Sequence, residues 1–96
     1  MKTTSEIENK LRQLKPILIE KFSVERIGYF GSYAMQEQTE DSDLDILVEF
    51  KKPIGWGFFT MEQFLAEQLG MKIDLVTRNA LKEQIKDEIL KQVRFV

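Results

Sequence analysis

GSYAMQEQTEDSDLDILVEF, residues 31–50, closes on the clearest strand of the chain. Leu44, Ile46, Val48 and Phe50 alternate there with Asp45, Leu47 and Glu49, the period-two pattern of a half-buried strand. The stretch opens on Gly31-Ser32, a turn that directly follows a second extended run, residues 24–30. In that run Val24, Arg26, Gly28 and Phe30 fall on one face, and Glu25, Ile27 and Tyr29 on the other. Residues 33–42 are polar, with acidic and small side chains, and read as a short helix or loop.

Outward from this centre the pattern turns helical. Ile7, Leu11, Leu14, Leu18 and Phe22 form one apolar stripe over residues 5–22. Ser5 with Glu8 fits a capping box. Pro16 lacks a backbone donor and crowds the preceding turn, which predicts a kink or two short helices. Residues 51–57 hold Pro53, Gly55 and Gly57 and read as a loop. Phe58, Met61, Phe64, Leu65 and Leu69 then share a helical face, and Gly70 supplies a left-handed stop. Residues 71–76 read as a third strand. From Thr77 onward Leu81, Ile85, Ile89 and Val93 repeat at helical spacing, with Thr77 or Asn79 as the cap and the helix closing at Phe95-Val96. The order predicts one domain, residues 1–96, of the α/β class. It is a small two-layer fold, a mixed sheet of three or more strands packed by helices.

Composition removes several kinds of chemistry. The chain has no cysteine and no histidine. Disulfide scaffolds, zinc ribbons, thiol nucleophiles, imidazole acid–base catalysis and Ser-His-Asp triads are therefore excluded. Any metal must sit on oxygen ligands, which favours Mg²⁺, Mn²⁺ or Ca²⁺. A net charge of -2 argues against strong nucleic-acid binding. No apolar run approaches the roughly 18 residues of a membrane span. The first residues, Met1 to Glu6, lack the apolar segment of a signal peptide, so cytoplasmic residence is the expectation.

Asp43 and Asp45 lie two apart at the strand entry, so both side chains leave the same face, about 6.6 Å apart along the chain. Carboxylates pointing one way repel unless cations sit between them, and such a pair can bridge two divalent ions. Asp74, between Ile73 and Leu75, joins them if its strand lies beside the second one. Gly31 lets the backbone approach an anion, and the amides that follow, with the Ser32 hydroxyl, can donate to phosphate oxygens. A polyphosphate on one side and bridging metals on the other point to in-line displacement at phosphorus.

Residues 31–50 resemble the signature of the DNA polymerase β-like nucleotidyltransferase superfamily. The whole chain is similar to its smallest members, the MNT or MntA-like minimal nucleotidyltransferases. The likeness takes in RIGYFGSYA (26–34), SDLDILVEF (42–50) and KIDLVT (72–77). It implies that Gly31 and Ser32 bind the triphosphate and that Asp43 and Asp45 hold two Mg²⁺ ions, with Mn²⁺ as an alternative. It implies that Asp74 completes the catalytic metal and helps deprotonate the attacking hydroxyl. The implied reaction transfers AMP, or another nucleoside monophosphate, from ATP to an acceptor hydroxyl. The implied setting is a toxin–antitoxin pair in which the chain acts on or binds a HEPN-domain partner protein. The family usually reads Gly-Ser-x-Ala-Arg-Gly-Glu. Here Ala34 and Glu37 match, but Met35 and Gln36 replace Arg-Gly. That departure removes a charge and backbone freedom beside the turn. It keeps open a second reading, a non-catalytic antitoxin module that binds its partner by contact.

Other residues have plainer readings. Glu37, Glu40, Asp41 and Glu49 read as a solvated edge, and Lys51 and Lys52 as solubilising charges. Trp56, Phe58 and Phe59 read as core and loop anchors, or as an aromatic patch for a partner. Arg78 and Lys82 are solvated charges, or face the triphosphate.

Overall fold

In the computed structural model, which describes residues 2–96, the first helix begins earlier than the Ser5 cap predicts. α1 spans Thr4–Phe22, and Thr3 is its cap. The capping box is real but lies two residues upstream. The Glu6 amide donates to Thr3 Oγ1 at 3.2 Å, and the Thr3 amide donates to Glu6 Oε1 at 3.1 Å. Both pairs satisfy the Ser/Thr-x-x-Glu spacing, so spacing alone does not choose between them. Pro16 lies inside α1 and does not divide it into two helices. Arg12, whose carbonyl loses its intrahelical donor, and Pro16 are both exposed, so water can take that bond. The buried stripe Ile7, Leu11, Leu14, Leu18 and Phe22 holds the helix on both sides of the proline.

Next come β1 (Val24–Phe30), α2 (Ser32–Met35), β2 (Leu44–Phe50), α3 (Gly57–Leu69), β3 (Ile73–Thr77), a 3₁₀ turn at Arg78–Ala80, α4 (Glu83–Gln92) and β4 (Arg94–Phe95). β1 departs from simple alternation. A register shift between Val24 and Arg26 turns Val24 to the same side as Ile27 and Tyr29, in the core. β3 starts two residues later than the apolar run, and Gly70 takes the expected left-handed φ of 65° after α3.

The C-terminal quarter differs most from expectation. The helix does not start at Thr77, and neither Thr77 nor Asn79 caps it. Lys82 is the cap residue, without a side-chain bond. Leu81 is extended at φ −71°, ψ 133°, because it packs into the apolar cluster that α4 shares with the sheet. The helix ends at Gln92, and Arg94–Phe95 instead forms a fourth strand on β1, opposite Tyr29 and Gly28. A two-residue strand is too short to show alternation. Gly28 makes its close approach possible, since a Cβ there would lie 2.6 Å from the Arg94 carbonyl oxygen.

The sheet order is β3-β2-β1-β4, with β1 antiparallel to both β2 and β4, and β2 parallel to β3. The α/β class and mixed sheet agree with expectation. One face packs under α1 and α3, with Val24, Ile27, Tyr29, Leu44, Ile46, Val48, Ile73 and Leu75 inside. Phe30, Leu47 and Ile89 form a smaller cluster on the opposite face, beneath α4. Tyr29 is fully buried, and its hydroxyl donates to Glu8 Oε2 at 2.7 Å. Burial and the Glu8 carboxylate push that phenol up to about 12.

Candidate active site

Alternation decides which face the acids take. Leu44, Ile46, Ile73 and Leu75 point into the main core. Asp45 and Asp74 therefore leave the opposite face, and Asp43, in the loop just before β2, lies near enough for its charge to act on Asp45. The parallel register sets Asp45 directly beside Asp74. On its other side Asp45 pairs with Phe30, the last residue of β1 before the Gly31 turn. One sheet pairing thus gathers acids from separate stretches next to that turn.

The electrostatics record how near these acids lie to Asp45. Asp45 is half-buried, and loss of solvent raises its carboxyl to about 6, with the Asp74 and Asp43 charges and a hydrogen bond with Asp74 adding to the rise. Among the described residues the acids do not close into a ready-made three-carboxylate metal cage. Asp45 and Asp74 share a face, and the three charges interact without closing on a single point. The donor set still suits a hard divalent cation, because every side-chain donor is a carboxylate oxygen. Asp74 lies on the edge strand and is exposed, so the site opens to solvent on that side.

Gly31 sits at φ 73°, ψ −147°, a region only glycine populates readily. A Cβ at this position would overlap Asp45 Oδ2. Glycine therefore permits the turn and leaves the carboxylate its place. The Gly31 amide, however, donates to Gln92 Oε1 at 2.8 Å. Any phosphate contact must therefore come from groups beyond it. Ser32 does not cap α2. Gly31 is the cap residue and Ser32 the first helical residue, so capping does not occupy the Ser32 hydroxyl. Gln36 takes the left-handed conformation, φ 57°, where the family pattern carries glycine. Met35 beside it is exposed.

Other sequence candidates lie elsewhere. Arg78, with Lys51 and Lys52, lines a separate cavity of about 410 Å³ at the far end of β2 and β3. Glu49 is paired with Arg26 at 2.6 Å, and that guanidinium also stacks on the Phe95 ring. Trp56 is 84% exposed and Phe59 is exposed beside it, while Phe50 and Phe58 pack against the core. Trp56 is therefore not a core anchor. Sequence reasoning passed over Gln92, for no local signal marks a glutamine near a helix end as a partner of residue 31.

A strand-turn-helix with an Asp-x-Asp strand and a third Asp on the parallel neighbour defines a class, and comparison with known proteins gives the same one. The nucleotidyltransferase domain family matches residues 11–96, and the chain belongs to it. A Methanocaldococcus jannaschii relative, provisionally named a protein adenylyltransferase, is 50% identical over 98 residues, covering 100% of each chain. Protein adenylyltransferase MntA of Thermococcus cleftensis is 43% identical over 97 residues, covering 100% of this chain and 98% of the relative. A solved structure described as a minimal nucleotidyltransferase has the same fold, with a TM-score of 0.82 at 24% identity over 97% of this chain and 95% of the other. A toxin–antitoxin structure with AMP-PNP matches at a TM-score of 0.68 and 25% identity, over 96% of this chain and 70% of the other.

Proposed function

We propose that the chain is a Mg²⁺-dependent protein adenylyltransferase that moves AMP from ATP to a hydroxyl on a HEPN-domain partner, as the antitoxin of a toxin–antitoxin pair. One observation carries this reading: Asp45 and Asp74 stand side by side in the β2–β3 register next to the Gly31 turn, and the Asp43 charge reaches Asp45. The relatives named as protein adenylyltransferases and the fold shared with a toxin–antitoxin chain support it.

Asp43, Asp45 and Asp74 would hold the ions, which, when bound, neutralise triphosphate charge and acidify the attacking hydroxyl. Gly31 keeps side-chain bulk away from the Asp45 carboxylate. Ser32, first in α2, can donate its hydroxyl to a phosphate oxygen. Asp74, at the open edge, accepts the acceptor's proton as its oxygen bonds the α-phosphorus. The α–β bridging bond breaks in the same displacement, and pyrophosphate carries off the electron pair. No helix of the described residues is long and apolar enough to cross a membrane. We place the protein in the cytoplasm, where ATP is abundant. β3 is an edge strand of the sheet, so Asp74 is open to an acceptor presented by a second chain.

The test mixes the protein with its HEPN-type partner, Mg²⁺ and ATP labelled at the α-phosphate. Label should enter the partner and be lost with Asp43→Asn or Asp45→Asn while both variants stay folded. Full activity in both variants would refute the site. Met35 and Gln36 at the turn favour the second reading, an inactive binding module. Partner binding without any calorimetric Mg²⁺–ATP binding would select it.

A further inference from the structure

Gln92 reaches from the last residue of α4 to the turn after β1, and its Oε1 accepts the Gly31 N–H at 2.8 Å. The bond is half-buried and spans 61 residues of sequence. On its other side Gly31 packs so tightly on Asp45 that a Cβ would strike the carboxylate. The turn is therefore held between a glutamine carbonyl and a site carboxylate. Glycine enters φ 73°, ψ −147° freely but is also free to leave it, so the Gln92 bond narrows the conformations open to the turn. α4 can do this because its C-terminal end is anchored. Ile89 and Val93 pack beneath the sheet, and Arg94–Phe95 pairs with Tyr29 and Gly28 on the strand that ends at this turn.

We infer that Gln92 is a positioning residue for nucleotide binding. It orients the Gly31 turn and takes up the Gly31 amide, so that phosphate contacts fall to the groups beyond it. This inference rests on the adenylyltransferase reading above. A neutral hydrogen bond contributes about 1 kcal/mol net, so its loss predicts a KM for ATP higher by about 3–10-fold. The kcat should stay within about twofold, because Gln92 contacts no reacting group.

The experiment uses Gln92→Met, which keeps length and packing but removes the acceptor, and Gln92→Asn, which withdraws it by one methylene. Steady-state kinetics with ATP and the partner protein are read together with Gly31 amide exchange by NMR. The expected result is a raised KM, a nearly unchanged kcat and faster Gly31 exchange in either variant that folds. Active wild type with an unchanged KM and unchanged Gly31 exchange in the variants would overturn the inference and leave the enzyme reading intact. Equal loss of kcat and affinity would make the role merely structural and would also overturn it. A wild type that transfers no AMP would overturn both.

Discussion

Replacing Asp45 with Asn should stabilise the metal-free protein while abolishing transfer. Burial, with the facing Asp74 and Asp43 charges, raises the Asp45 carboxyl from an ordinary 3.8 to about 6. The native state therefore binds this proton more tightly than the unfolded chain does. The destabilisation is complete above about pH 6 and fades as pH falls toward 4. At 1.36 kcal/mol per pH unit, a rise of about two units corresponds to roughly 3 kcal/mol. Asp45 is only half-buried, so solvent screening brings this to about 1 kcal/mol. Asn cannot ionise, and its amide can still donate to Asp74. For a domain of this length, about 1 kcal/mol is roughly 4–8 °C in Tm. Calorimetry in chelator should show that gain near about pH 7.5 and its loss near about pH 4.5. Added Mg²⁺ should raise the wild-type Tm and leave Asp45→Asn much less affected. A variant no more stable than wild type near pH 7.5, or equally stabilised at both pH values, would refute the argument that burial and the neighbouring acids act on Asp45.

Tyr29→Phe removes the 2.7 Å bond to Glu8 and should cost about 1–2 kcal/mol in urea unfolding. With its folded pKa raised to about 12, Tyr29 contributes stability that is whole below about pH 10 and lost as pH climbs through about 12. A tyrosinate absorbance titration should show one of the two tyrosines ionising that late. Gln36→Gly relieves a left-handed residue and should stabilise the fold by about 0.5–1 kcal/mol in the same unfolding measurement. Gly28→Ala would force a Cβ within 2.6 Å of the Arg94 carbonyl oxygen. It should detach the C-terminal strand, seen as lost exchange protection at the Val96 amide, which donates to the Ile27 carbonyl at 3.0 Å.

Much of the fold was legible because its elements are locally encoded. β1 and β2 begin and end where the extended runs do, and α3 stops where Gly70 can turn. The α1 stripe gave the helix, yet not the fate of Pro16, which depended on the exposure of Arg12 and Pro16. The bulge that turns Val24 inward was invisible, since a one-residue shift leaves no mark on composition. The site was half legible. An Asp-x-Asp at a strand entry marks two acids close together, but nothing local brings Asp74 or Gln92 to them.

From its order alone, the chain determined the alternating strands, the helical stripes, the oxygen-only ligand chemistry and the glycine turn. These follow from side-chain periods, residue chemistry and backbone sterics, which act over a few residues. Tertiary structure alone decided that Asp74 stands beside Asp45, that Arg94–Phe95 closes the sheet, and that Gln92 holds Gly31. Each of those is a pairing between distant segments. Its register is set by how the whole sheet buries its two faces, a condition that no short window of sequence contains.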